Sequence, residues 1–166
     1  GNHSPRYPGR GQMEESVTVL KTAEDSDVAD LQTIVDHYCR LPQKDWMQYS
    51  PLTLAWIGDT VFDLIVRTAL VKQANMQTEK LHRQAAALVN ARMQAEGALR
   101  IRASFSAEEE AVYRRGRNSN PHHTAKNADR EQYLEATGFE ALLGYLYLRR
   151  RYSRIMELVK AAYPAL

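Results

Sequence analysis

Apolar residues along this chain recur at helical spacing, and no stretch alternates with the period of two that a half-buried strand needs. The pattern predicts an all-α protein. Val28, Leu31, Ile34, Val35 and Tyr38 predict a first short helix from about Asp27 to Cys39, followed by Pro42. Ser50 as N-cap and Pro51 at the first helical position open a second helix that runs to about Lys72. Asn75 and Gln77 mark a turn, and Thr78 is placed to cap a third helix. That helix carries Leu81, Ala85, Leu88, Val89, Met93 and Leu99, with a bend expected near Asn90 or Gly97. Ser106 and Glu109 form a capping box for a helix to about Arg115, which Gly116 is placed to end. Arg117 to Asn127 reads as a loop. Asp129 is placed to cap a long helix to about Arg149, and Tyr152 to Tyr163 is a terminal helix packed through Ile155, Met156 and Val159.

Two of these helices carry an oddity. The apolar run from Leu52 to Val71 contains Asp59, and the run from Phe139 to Leu148 has Glu140 as its only acid. A lone carboxylate in apolar surroundings loses several kcal/mol of hydration unless something pairs with it. Either each acid pairs with an arginine or a hydroxyl, or the two meet in the core. If they meet, they share a proton or a cation, and hard oxygen ligands favour Mg2+ or Mn2+. Trp56, Asp59 and Asp63 fall roughly on one face, and Thr137, Glu140, Ala141 and Gly144 on another. Small residues there would let the two helices approach closely.

Length and composition narrow the field. A chain of 166 residues is one domain with room for a core. A net charge of +2 excludes a global polycation, so any nucleic-acid surface is a local patch. The single cysteine, Cys39, excludes an internal disulfide and a cysteine-rich zinc site. No apolar stretch is long enough for a membrane span or a signal peptide, which implies a soluble cytoplasmic protein. Residues 1–12 (GNHSPRYPGRGQ) read as an expression-tag remnant with Met13 the native start. Residues 1–26 form an N-terminal extension, and residues 27–166 form the folded domain.

Leu54-Ala55-Trp56-Ile57-Gly58-Asp59 resembles the signature helix of the ribonuclease III family, and Phe139-Glu140-Ala141-Leu142-Leu143-Gly144 resembles its second metal-binding helix. Glu108 to Val112, Arg114 to Asn118 and Lys126 to Asp129 are similar to the small bacterial branch without a separate double-stranded-RNA-binding domain. The resemblance runs in order from about Leu41 to Val159. It implies a homodimeric endonuclease-domain fold in which Asp59 and Glu140 hold Mg2+, with Mn2+ as substitute, and hydrolyse double-stranded RNA. It also implies maturation of a ribosomal RNA precursor (23S), and Trp56 inserting into a socket on the partner subunit. The alternative is a non-catalytic double-stranded-RNA-binding dimer on the same scaffold.

This sequence departs from the larger enzymes of the family. Leu52 and Ala55 stand where they have glutamates, and Thr137 where they have an aspartate. Fewer acids imply weaker metal binding, with Asp63 and Glu79 contributing at most indirectly.

The segment from Arg114 to Asn127 holds Arg114, Arg115, Arg117, His122, His123 and Lys126 and no acid. Arginine and lysine suit phosphates, while Asn118, Ser119, Asn120 and Asn127 suit ribose hydroxyls, so it is the expected RNA grip. His122 and His123 are adjacent and project differently, which disfavours a shared metal. No His-Asp dipeptide supports a His-Asp phosphohydrolase. Arg149 to Arg151 reads as a solvated helix end.

Overall fold

A helix with no polar face must be surrounded by others, and the run around Glu140 is. The computed structural model describes residues 30–119 and 127–166. The expected N-terminal extension, and the positions His122, His123 and Lys126, lie outside the described residues. The described residues contain seven α-helices and no strand. No helix among them is long and apolar enough to cross a membrane.

The chain divides into two compact units, residues 1–45 and 46–166. The first contains α1 (Leu31–Cys39), which Asp30 caps by accepting from the Thr33 amide at 2.7 Å. The second contains α2 (Pro51–Gln73), α3 (Thr78–Leu88), α4 (Ala91–Ile101), α5 (Ala107–Asn118), α6 (Asn127–Leu148) and α7 (Tyr152–Ala162). Helix α6 is the centre: α2, α4, α5 and α7 all pack on it. Phe139, Leu142, Leu143, Tyr145 and Leu146 on α6 are fully buried. Burying a large apolar side chain contributes roughly 1.5–3 kcal/mol, so this helix carries much of the core. Phe62 of α2 meets Phe139 edge-on, with ring centroids 5.5 Å apart.

Local chemistry sets most of the helix starts. Ser50 accepts from the Thr53 amide at 3.2 Å, with Pro51 next. At the capping box, Ser106 accepts from the Glu109 amide and Glu109 accepts from the Ser106 amide. The expected bend is a complete break at Asn90, whose side chain serves both helices. It accepts from the Met93 amide and donates to the Ala86 and Ala87 carbonyls.

Three expectations about helix ends need correction. Gly116 does not end α5, which runs on to Asn118. Gly116 is buried, and a Cβ there would come within 2.7 Å of the Ala141 methyl. A terminating glycine and a packing glycine read alike, and only the helix opposite tells them apart. Thr78 is inside α3 rather than capping it, and Gln77 holds the cap position without a side-chain bond. Asp129 lies in the first turn of α6, where a negative charge suits the helix dipole.

The crossing of α2 and α6 is the tightest contact. A Cβ on Gly58 would overlap the carbonyl oxygen of Glu140, and one on Gly144 would overlap the carbonyl oxygen of Leu54. Backbone therefore lies on backbone, which only glycine permits. Gly58→Ala or Gly144→Ala is expected to cost at least about 2 kcal/mol, because overpacking forces the helices apart. The urea unfolding midpoint measures this, and an unchanged midpoint would mean the helices are not in backbone contact.

Candidate metal centre

The glycine crossing decides what lies beside it. Asp59 follows Gly58 on α2, and Glu140 is the residue whose backbone Gly58 touches. The Asp59 carboxylate is within hydrogen-bonding reach of the Glu140 carboxyl. The two acids therefore meet each other rather than separate basic partners.

They do not meet in the deep core. Asp59 is exposed, on the side of α2 that also exposes Trp56 and Thr60, and Glu140 is partly buried. The apolar run around Asp59 suggested deeper burial, but Asp59 sits one position past the residue that faces α6. The pair opens to solvent and so to a substrate. Burial first, and then the neighbouring Asp59 charge, push Glu140 up to about 8. Two carboxylates in this state accept either a proton or a cation between them.

No third ligand joins them. Among the described residues no group of three or more His, Cys, Asp and Glu side chains forms a metal-binding set. Thr137 is buried and its hydroxyl donates to the Tyr133 carbonyl at 2.9 Å, so it serves its own helix. Asp63 pairs with Arg67 at 3.1 Å. Glu79 is exposed in the first turn of α3. The donor set that fits a hard divalent ion here is Asp59 and Glu140, with water and substrate oxygens completing it.

The expected RNA grip is partly spoken for. Arg114 pairs with Glu110 at 3.4 Å and is largely exposed. Arg117 donates to both Glu135 and Glu131 of α6. Arg115 and Asn118 are exposed, and Arg115 makes no ion pair among the described residues. Trp56 is 77% exposed, so it is not a core residue of this chain. Arg149, read as a solvated helix end, pairs instead with Glu108 at 2.7 Å, and its guanidinium lies over the Trp46 and Tyr145 rings.

Sequence reasoning took Glu109 for a cap only. It is also a buried ion-pair partner: Arg154 donates to both its oxygens at 2.8 Å, which holds its pKa below the ordinary carboxylate value. It missed Glu131 and Glu135 as well. Their signal was an i, i+4 acid pair next to an apolar run.

Comparison with known proteins gives this geometry a class. The ribonuclease III domain family matches residues 52–151, a span that includes both Asp59 and Glu140. A Mini-ribonuclease 3 from Thermoanaerobacter sp. (strain X514) is 42% identical over 120 residues, 72% of this chain and 84% of that protein. A Mini-ribonuclease 3 from Enterococcus faecalis is 40% identical over 118 residues, 70% of this chain and 89% of that protein. A crystal structure of a Fusobacterium nucleatum protein superposes with a TM-score of 0.64 at 29% identity, over 71% of this chain and 91% of that one. The chain belongs to the ribonuclease III family, in its Mini-ribonuclease 3 group, and is an endoribonuclease.

The raised Glu140 value has a consequence for stability. Between the ordinary 4.5 and about 8 the folded state holds a proton that the unfolded state has lost. Folding stability therefore falls as pH rises through that window. Metal-free protein should melt at a lower temperature near pH 8 than near pH 5, and Glu140→Gln should flatten that slope. Melting curves in chelator for both proteins check this, and parallel pH profiles would refute the coupled pair.

Proposed function

We propose that this chain is a divalent-metal-dependent endoribonuclease that cuts double-stranded RNA by phosphodiester hydrolysis. It works as a homodimer, and its cellular role is maturation of a ribosomal RNA precursor (23S) in the cytoplasm. The single observation that carries the reading is the solvent-open Asp59–Glu140 pair, set on two helices that lie within the ribonuclease III match. Asp59 and Glu140 would hold Mg2+, with Mn2+ as substitute. When bound, such an ion lowers the pKa of a water and neutralises charge on the scissile phosphate.

The chain's own residues do the rest. Glu140 would have to lose its proton to hold the cation, so binding would be weaker at low pH. With Thr137 turned to its own helix and apolar Leu52 and Ala55 in the signature, the protein offers two carboxylates only. Metal affinity therefore depends on oxygens that the RNA brings. Arg114, Arg115 and Asn118, with His122, Lys126 and Asn127, supply phosphate and ribose contacts at the end of α5 and beyond. The Arg114–Glu110 pair is exposed, and an exposed pair is exchanged for a phosphate at little cost.

Trp56 is the dimer anchor. It lies on one exposed face of α2 with Leu52 four residues before it and Leu64 eight after, Thr60 standing between. A buried aromatic anchor contributes at least about 2 kcal/mol to an interface. Trp56→Ala should release monomers of unchanged helicity, because the side chain supports nothing inside its own subunit. Sedimentation with circular dichroism reads both, and a variant that still dimerises removes Trp56 as anchor.

For the chemistry, Asp59→Asn and Glu140→Gln should each abolish cleavage while RNA affinity is largely kept. Each removes a ligand charge and preserves shape. The assay is magnesium-dependent cleavage of a double-stranded RNA beside its binding isotherm. Near-wild-type cutting by either variant would defeat the shared-metal reading.

A further inference from the structure

Arg117 is bound too firmly into the fold to serve as a phosphate contact. Its Nε donates a short hydrogen bond to Glu135 Oε1, and Nη2 donates to Glu131 Oε2 at 2.9 Å. Glu135 is only 6% exposed, and its second oxygen is buried with no hydrogen-bond partner. Swinging Arg117 out to an RNA phosphate would leave that buried carboxylate without the guanidinium, which is the costly way to break such a pair. Arg115, two residues earlier, is exposed and has no such tie.

The pair also sits where position matters. Beside Arg117, Gly116 meets the Ala141 methyl and the Gly138 backbone, and Gly138 in turn meets the Tyr113 carbonyl. Helix α5 thus touches α6 through Gly138 and Ala141, while α2 touches it through Glu140 and Gly144. Glu140 lies inside this doubly clamped stretch. A packed seam of this kind does not deform continuously, so a shift of α5 along α6 carries Glu140 with it.

We propose that Arg117 and Glu135 are a positioning pair for RNA cleavage: their ion pair sets the register of α5 on α6 and so holds Glu140 opposite Asp59. This rests on the function proposed above. Neither residue touches RNA or metal. The pair acts through the α5–α6 seam, and Arg115 is the phosphate contact of this turn.

The test uses the full chain with magnesium and a double-stranded RNA. It compares wild type, Arg117→Ala, Arg117→Ala with Glu135→Gln, and Arg115→Ala. Readouts are the cleavage rate at saturating RNA, RNA affinity across a salt series, and the melting temperature. Arg117→Ala should lose on the order of ten-fold or more in saturating rate, since a displacement near 1 Å at a reacting group is that expensive. Its affinity and salt slope should match wild type. The double variant removes the stranded buried charge, so it should recover melting temperature yet stay slow. Arg115→Ala should instead weaken RNA binding and lower the salt slope by about one, the change that Arg117→Ala should not show. The proposal is overturned if Arg117→Ala loses affinity and slope instead, if it cuts at the wild-type rate, or if the double variant regains rate together with stability. Wild-type protein that neither binds nor cuts double-stranded RNA would overturn the functional reading, and the positioning role with it.

Discussion

Backbone lies on backbone where α2 crosses α6, and much of the molecule follows from that contact. Gly58 and Gly144 leave no side chain between the helices. Their closeness forces Asp59 and Glu140 to share one small volume, although neither acid favours the other's company. The repulsion and the lost hydration both oppose folding, and Glu140 responds by holding its proton. The burial of α6 on several sides offsets this, because a helix with so many fully buried apolar residues has a large surface to remove from water. The strained carboxylate pair is thus maintained by the core around it. A bound cation would relieve the same repulsion that the proton relieves.

The charged residues divide into those that hold the scaffold and those that remain available. Glu108, Glu109 and Glu110 look like one acidic run, yet each pairs with a different arginine: Arg149, Arg154 and Arg102 respectively. These ties join α5 to the end of α6, to α7 and to the turn after α4. They leave the near-neutral net charge of +2 a poor guide to the surface, because much of the arginine is already neutralised internally. Arg115 lies outside these pairs and Arg114 is held only by an exposed one, which is why the proposed function gives them the phosphates.

Two carboxylates are a thin ligand set for phosphodiester hydrolysis, and Thr137 does not enlarge it. Its hydroxyl closes onto the Tyr133 carbonyl, as a threonine inside a helix commonly does. Under the proposed function, metal capture and RNA binding would be coupled, since substrate oxygens would complete the shell. Such a site would be assembled fully only on its substrate, which would make the placement of Glu140 by the surrounding helices more consequential than in a site rich in acids.

The all-α class, most helix starts and the identity of the two acids were legible along the chain. Ser50-Pro51, Ser106 with Glu109, and a carboxylate in each of two apolar runs are local signals, and local chemistry reads them. The family match agrees with the motif Leu54 to Asp59 and the motif Phe139 to Gly144. Other features depended on what stood opposite. Gly116 as packing residue, Asp59 at the surface rather than in the core, and Arg117 tied to Glu135 each involve a partner distant in sequence. Spacing along one helix shows which residues share a face, but it does not show which neighbour covers that face. The sequence by itself determined the elements and the chemical groups. Only the tertiary structure decided which groups meet, because that choice is made by close packing between helices and not by the preferences of any one of them.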